Sequence, residues 1–363
     1  MGHFKTNTLR SVCGDPLVRL ARGKDHFLFR LDKVIDWQEF TPQLVEAYKG
    51  KASRGESPYH PLIPFKMLLL TYLLNTSERA IEEQCHWYIP VRLFVGLGIY
   101  DAVPDHSTLT LFKRRLQKHD GIGDFKVIFD GIIKQALEKG VKFGSIQIVD
   151  SVHTVANVNN DKDRARHEQG KPSADPDATV VRKGKRLVTK PDGTVEQREM
   201  MHLGYKTHVS MDAKTGIVTS IKPTTGNTAD NKQMAELIDN DKTVGVTADT
   251  YTADKGYDDG ELHTKLQSEG KHSALMLRKF RTEKKDGNKA PWLEMLSDPF
   301  YQAGIRVRSR IERTFGEAKR WHGLGLARYI KTSRFRIQSY MTFMALNLKR
   351  IVWELTGGRL RAL

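Results

Sequence analysis

Ser145-Ile-Gln-Ile-Val-Asp150 decides how the rest of the chain is read. Ile146, Ile148 and Val149 make a short apolar run of strand-favouring residues, and the run ends in an acid. An Asp closing such a strand holds its carboxylate rigidly at the rim of a sheet. Downstream, Tyr205 to Met211 alternates as a strand, Asp212-Ala-Lys-Thr-Gly216 turns, and Ile217 to Ile221 returns, which predicts a hairpin. A helix over 229–239, a strand over 244–253, a helix over 258–268, a strand Ser273 to Leu277 and a helix from about 305 follow. That order predicts an α/β domain with a mixed sheet and flanking helices. Residues 160–200 are polar and rich in Gly, Pro and charge, and read as a long loop or insertion.

Upstream the pattern is helical from 25 to 118. Pro64 to Leu74 is apolar enough for a buried helix, and Ser77 before Glu78, Glu82 and Glu83 marks a helix start. In Pro104-Asp-His-Ser-Thr-Leu109 either Asp105 or Ser107 can cap the next helix, which carries Lys113, Arg114 and Arg115. The expected division is a helical, helix-turn-helix-like domain over 1–135 and an α/β domain over 136–363, with the insertion at 160–200 and basic helices at the C-terminus.

Lys and Arg number 59 against 43 acids, a formal charge of +16. From Ala303 onward there are 14 Lys or Arg and 3 acids, so most of the excess lies in the last sixth of the chain. A basic surface of that density favours a polyanion, because each phosphate it neutralises releases condensed counterions. The longest apolar run, Met67 to Leu74, is far short of the ~20 residues of a membrane span, so no membrane partner is expected. Nor do the first 30 residues contain the apolar stretch of a secretory signal. Cys13 and Cys85 cannot build a disulfide framework or a cysteine zinc site. A cytoplasmic protein is the expectation.

Three acids stand out by placement: Asp150 after one strand, Asp254 after another and before Lys-Gly-Tyr257, and Glu312 on a basic helix. Within Arg306-Val-Arg-Ser-Arg-Ile-Glu-Arg-Thr-Phe-Gly-Glu-Ala-Lys319, residues Arg308, Glu312 and Lys319 share one helical face beside the apolar stripe Ile311, Phe315 and Ala318. Breaking a phosphodiester needs an activated nucleophile and stabilised charge on the leaving oxygen. Two divalent cations about 3.5–4 Å apart supply both, and hard cations take carboxylate ligands. Each acid alone reads more simply as a turn former or a surface ion pair. Their occurrence together, in order, carries the weight. His202 and His208, at even spacing on a strand, read as solvent or DNA contacts rather than metal ligands.

The chain resembles the DDE transposases of bacterial insertion sequences. The likeness rests on Tyr59-His-Pro61, Phe94-Val-Gly-Leu97 and Pro104-Asp-His-Ser-Thr108, on His202-Leu-Gly-Tyr-Lys-Thr-His208 with Asp212, on Thr225-Gly-Asn-Thr-Ala-Asp230, and on Ala253-Asp-Lys-Gly-Tyr257. The family's Y-x2-R-x3-E-x6-K signature is met at Arg308, Glu312 and Lys319, with Ile305 where the tyrosine would stand. The resemblance implies a ribonuclease H-like catalytic domain with Asp150, Asp254 and Glu312 as catalytic acids and ligands of two Mg²⁺ ions, Mn²⁺ being a substitute. Asp249 is the rival for the second acid. It further implies that Arg308 and Lys319 contact double-stranded DNA, joined by Arg310, Arg313, Lys113, Arg114 and Arg115. The activity implied is cleavage at the element's terminal inverted repeats and strand transfer to target DNA, by a homodimer on DNA, nucleoid-associated in the cytoplasm. Two other classes share these features: a metal-dependent nuclease without strand transfer, and an inactive transposase-derived DNA-binding protein.

Overall fold

The computed structural model describes residues 23, 25–48, 57–119, 123–190, 193–282 and 290–357. Cys13 and the expectation about a secretory signal lie outside the described residues. By its internal contacts the chain forms two units, one of residues up to Lys142 together with those from Tyr340 onward, the other Phe143–Ser339.

In the first unit the helices are α1 (Phe27–Val34), α2 (Thr41–Glu46), α3 (Leu62–Leu73), α4 (Glu78–Trp87), α5 (Ile89–Val95), α6 (His106–His119) and α7 (Gly123–Glu138). Every residue of α3 is buried, which its nearly uninterrupted apolar sequence requires. Its one cation, Lys66, is accommodated by Asp32 at 2.8 Å and the Phe94 carbonyl at 2.9 Å. Ser77 accepts from the Ala80 amide at 3.1 Å and starts α4. For α6 the cap is Asp105, whose Oδ1 accepts from the Thr108 amide at 3.0 Å, while the Ser107 hydroxyl donates to Asp105. Leu109, Phe112 and Leu116 then bury one face of α6. Cys85 is buried beside this core, and burial pushes its thiol up to about 12, which makes it inert.

The second unit is built on β1 (Ile146–Val155), α8 (Asn160–Glu168), β2 (Thr179–Thr189), β3 (Val195–Asp212), β4 (Val218–Thr225), α9 (Asn231–Thr243), β5 (Thr250–Ala253), α10 (Gly260–Ser268), β6 (His272–Leu275), α11 (Lys279–Thr282), α12 (Ala290–Ser297), α13 (Pro299–Val307), α14 (Arg310–Trp321) and the start of α15 (Thr332–Thr356). One mixed sheet runs β4-β3-β1-β5-β6: β3 is antiparallel to β1 and β4, and β5 and β6 are parallel to β1. β2 pairs only with the first part of β3. Val149, Tyr251 and Ala253 pack with Met234 and Leu237 of α9 and Leu262 and Leu266 of α10 on one face. On the other face α13 approaches so closely that a Cβ on Gly304 would lie 2.4 Å from the Ala274 Cβ.

Several elements depart from the sequence expectation. β1 does not end at Asp150 but continues to Val155, because Val152 and Thr154 supply buried side chains and β3 supplies backbone partners. The strand expected over 244–253 is only its last four residues; Gly245 (φ 88°) turns the chain, and the Val246 amide bonds back to Asp241. The polar 160–200 segment is not a loop: it holds α8, β2 and the start of β3, whose ladder satisfies the backbone. The helix from 305 is two helices meeting at Arg308 and Ser309. Ile311, Phe315 and Ala318 are buried as the stripe predicts.

Candidate functional site

Val149 is the register partner of Ala253 on the parallel neighbour, so Asp150 and Asp254 each come one step later at the end of the shorter strand. β5 stops there because Asp254 Oδ1 accepts from the Gly256 amide at 2.7 Å and caps the tight turn Lys255–Tyr257. Asp249 lies at the opposite end of the same strand, where its amide bonds to Ser145. It therefore does not stand beside Asp150.

A fourth carboxylate, unassigned by the sequence reading, completes this wall. Asp230, just before α9, lies 3.1 Å from Lys206 Nζ and 3.4 Å from His208 Nδ1. A Cβ on Gly256 would fall 2.9 Å from Asp254 Oδ1 and 3.9 Å from Asp230 Oδ2, so these two acids face each other across a glycine. Burial, and then the charges of Asp254 and Asp230, push the Asp150 carboxyl up to about 7, against the pull of Arg308 and of the bond it accepts from the Ser151 amide. The Tyr257 hydroxyl, wholly buried, is raised by burial and then by Asp230, Asp150 and Asp254. The available signal was Thr225-Gly-Asn-Thr-Ala-Asp230, an acid at a helix start following a strand, but nothing in its spacing tells which strand it will meet.

His208 is not at solvent. It is fully buried, its Nε2 3.0 Å from the Thr224 hydroxyl, and burial pulls it down to about 4. His202 lies instead against His153, ring centroids 6.1 Å apart, with His153 also lowered to about 4 by burial and by Lys206. Both His153 and His208 are therefore neutral at pH 7.

Glu312 is presented differently. It is exposed on the first turn of α14, and Arg308 Nη2 lies 3.7 Å from its Oε1. α14 is fixed over the sheet by the Thr314 hydroxyl against Met211 Sδ at 3.2 Å and by Arg310 Nη1 donating to the Ala213 carbonyl at 2.9 Å. Arg308 is also felt at Asp150, so the arginine paired with Glu312 acts on the first acid as well, while Asp150 and Asp254 stand side by side. Among the described residues no three His, Cys, Asp or Glu side chains stand close enough to hold a metal as they are. The donor chemistry of Asp150 and Asp254 fits a hard divalent cation, because ionisation of Asp150 is opposed by burial and by the neighbouring acid's charge, which a cation relieves. Glu312 fits only by leaving Arg308.

The predicted cations divide. Arg313 is exposed and Lys319 half-buried on α14. Of the three on α6, Lys113 pairs with Glu78, Arg115 lies over the Tyr48 ring at 4.6 Å, and Arg114 is exposed.

Residues 17–115 match the family model "Transposase domain (DUF772)" and residues 168–348 match "Transposase DDE domain". The chain belongs to the DDE transposases. Its sheet and flanking helices are the ribonuclease H-like core of that family. Two solved structures are similar over much of the chain. One is a piggyBac transposase synaptic complex with hairpin DNA, at 10% identity and TM-score 0.45, covering 95% of this chain and 79% of that one. The other is the Mos1 transposase paired-end complex with left transposon end, at 8% identity and TM-score 0.22, covering 79% of this chain and 89% of that one. Among the described residues of this transposase no helix is long and apolar enough to cross a membrane.

Proposed function

We propose that this transposase binds the terminal inverted repeats of its own element, cleaves a phosphodiester at each end and joins the freed 3′-hydroxyl to target DNA. The observation that carries the reading is the placement of Asp150 and Asp254 at adjoining strand positions, with Arg308, which pairs with Glu312, acting on Asp150. Asp150, Asp254 and Glu312 hold two divalent cations, Mg²⁺ by preference. When bound, these ions lower the pKa of the attacking water or hydroxyl and stabilise charge on the leaving oxygen.

The remaining work falls to the chain's own groups. Arg308, released from Glu312, offers a planar fork to a phosphate next to the scissile bond, and Lys319 offers a point charge two turns along α14 from Glu312. Arg313, exposed on the same helix, extends the contact along the backbone. Lys206 holds Asp230 and thereby fixes the wall beside Asp150. In the first step water attacks phosphorus, the P–O3′ bond breaks, and the water's proton leaves as the 3′-oxygen is protonated. In the second step that 3′-hydroxyl attacks a target phosphodiester in line. The new bond to phosphorus forms, the target's own P–O3′ bond breaks, and the departing 3′-oxygen is protonated as the attacking hydroxyl gives up its proton. No covalent protein–DNA intermediate is needed, and two copies of the chain bring two ends together.

The test is cleavage of end-containing duplex in Mg²⁺ by Asp150→Asn, Asp254→Asn and Glu312→Gln, each verified as folded. All three should lose cleavage by a factor of about 10³ or more while still binding DNA. Normal cleavage by any of them overturns the assignment. A strand-transfer assay on the native chain separates transposition from simple nuclease action.

A further inference from the structure

β2 lies at the end of the sheet, and its sequence includes Arg182-Lys-Gly-Lys-Arg186: four basic residues in five. Beyond Val155 and Gly204, where β1 leaves β3, the β2–β3 pair continues as a two-stranded ribbon to Thr189 and Val195. The pairing slips between Arg182 and Lys185, with Gly184 at φ 69°. The extra residue keeps Val180, Leu187, Val195 and Met201 on one face, exposed by 52, 65, 60 and 57%.

The base of the ribbon is anchored. Asp175 accepts from the Tyr205 hydroxyl at 2.6 Å and from the Lys331 amide at 3.0 Å, and Asp177 accepts from the Thr332 amide at 2.9 Å. Tyr205 stacks on Phe335 at 4.5 Å. A Cβ at Gly204 would lie 2.2 Å from the Thr154 carbonyl oxygen, so the two strands meet there without room for a side chain. Such an anchored element has a fixed direction, and β3 gives it. From Lys206, which holds Asp230, the strand runs back to Met201, the partner of Arg182, and to Glu199, the partner of Lys185. At about 3.4 Å per residue the basic run begins roughly 17 Å from Lys206 and passes about 24 Å. It extends past the same end of β1 and β5 that carries Asp150 and Asp254. One turn of duplex is about 34–36 Å.

We infer that the β2–β3 ribbon is a DNA-contacting arm, whose basic stretch 182–186 meets the backbone of the duplex within one helical turn of the cleaved bond. This rests on the proposed action at DNA ends and adds a surface to it. A polyanion suits this edge better than a second copy of the chain does. The strand reads Thr-Val-Val-Arg-Lys-Gly-Lys-Arg-Leu-Val-Thr, nearly the same in both directions about Gly184. Antiparallel pairing of two copies about that glycine sets Arg182 against Arg186 of a second copy and Lys183 against Lys185, and like charges directly opposed destabilise a ladder. A phosphate backbone reverses the sign of that interaction. Cations at an edge also deter aggregation, which the experiment separates.

The test compares the full chain with the variant R182Q/K183Q/K185Q/R186Q on a fluorescent duplex of about four helical turns, of arbitrary sequence and without divalent metal, across a salt series. The variant should bind at least about tenfold more weakly at ~0.1 M salt, with a salt slope smaller by about two to four units. On the unaltered chain, acetylation of Lys183 and Lys185 should be suppressed by the duplex, a readout that needs no variant. Unchanged affinity and slope, with Lys183 and Lys185 acetylated equally with and without DNA, overturns the inference. So does a variant that binds DNA normally but aggregates or changes oligomeric state, since the cations then serve the edge alone. If the unaltered chain binds no duplex at all, the proposed function itself fails, which is a distinct result.

Discussion

Arg308 Nη2 stands 3.7 Å from Glu312 Oε1, four residues along the chain, and the charge of the same guanidinium is felt at Asp150. The arginine thus acts on both the third acid and the first. In the proposed function it would leave Glu312 for a phosphate, and Glu312 would be released to a cation. The i, i+4 spacing that allows the pair also lets the two side chains separate without moving the helix.

Removing that fork is the first prediction. Arg308→Ala should weaken binding to end-containing duplex, reduce the salt slope by about one unit, and lower cleavage tenfold or more. Arg308→Lys should restore the slope but not full cleavage, because an ammonium cannot make the bidentate contact. Binding titrations across salt, paired with single-turnover cleavage, check both.

The raised carboxyl of Asp150 sets a pH dependence. An acid whose folded pKa lies above its ordinary value favours folding fully below about pH 4, and that contribution is lost as pH rises toward about 7. Thermal melts in metal-free buffer should therefore fall between pH 5 and about 8, and Asp150→Asn should flatten the fall. A difference of ~1–2 kcal/mol moves the midpoint by a few degrees. Added Mg²⁺ should stabilise the native chain most at the alkaline end and the variant little.

Asp230→Asn separates two opposing effects. It leaves Lys206 without its ion pair, which should cost about 1–3 kcal/mol of stability. It also removes one of the charges that raise Asp150, so the metal-free pH transition should move to lower pH. Melting curves against pH distinguish this from a merely structural role, which would lower the curve without shifting its transition.

Gly256→Ala places a methyl 2.9 Å from Asp254 Oδ1. The backbone there has no positive φ, so the fold should survive with a change within about 1 kcal/mol. The carboxylate must move, and cleavage should fall while metal-free DNA binding stays. Gly304→Ala is the contrast: its Cβ would meet the Ala274 Cβ at 2.4 Å, wedging α13 off the sheet and costing about 1–3 kcal/mol by denaturant titration.

Much of the site was legible in the chain because each predicted acid is tied to a local pattern. Asp254 precedes a glycine turn that its own carboxylate caps, and Glu312 lies on a helix whose buried stripe fixes its exposed face. The choice of Asp254 over Asp249 was open to sequence reasoning only through the residues around it. In the structure, register with β1 places one acid beside Asp150 and the other at the far end of β5. His208 was misread for a related reason: alternation assigns it a face but cannot say that Thr224 and Asp230 cover that face.

The sequence by itself determined the strand-hairpin-helix order, the buried helix at Leu62–Leu73, the capped starts at Ser77 and Asp105, and the concentration of positive charge near the C-terminus. These depend on side-chain period, capping chemistry and composition, all of which act within a few residues. Only the tertiary structure decided that Asp230 joins the acids, that Glu312 rests on Arg308, that Lys113 and Arg115 are engaged within their own unit, and that a polar stretch becomes a ribbon. Those outcomes depend on which distant strand supplies the backbone partners and which charge arrives nearest. Pairing energies over such separations are set by the assembled sheet, not by the neighbours in the chain.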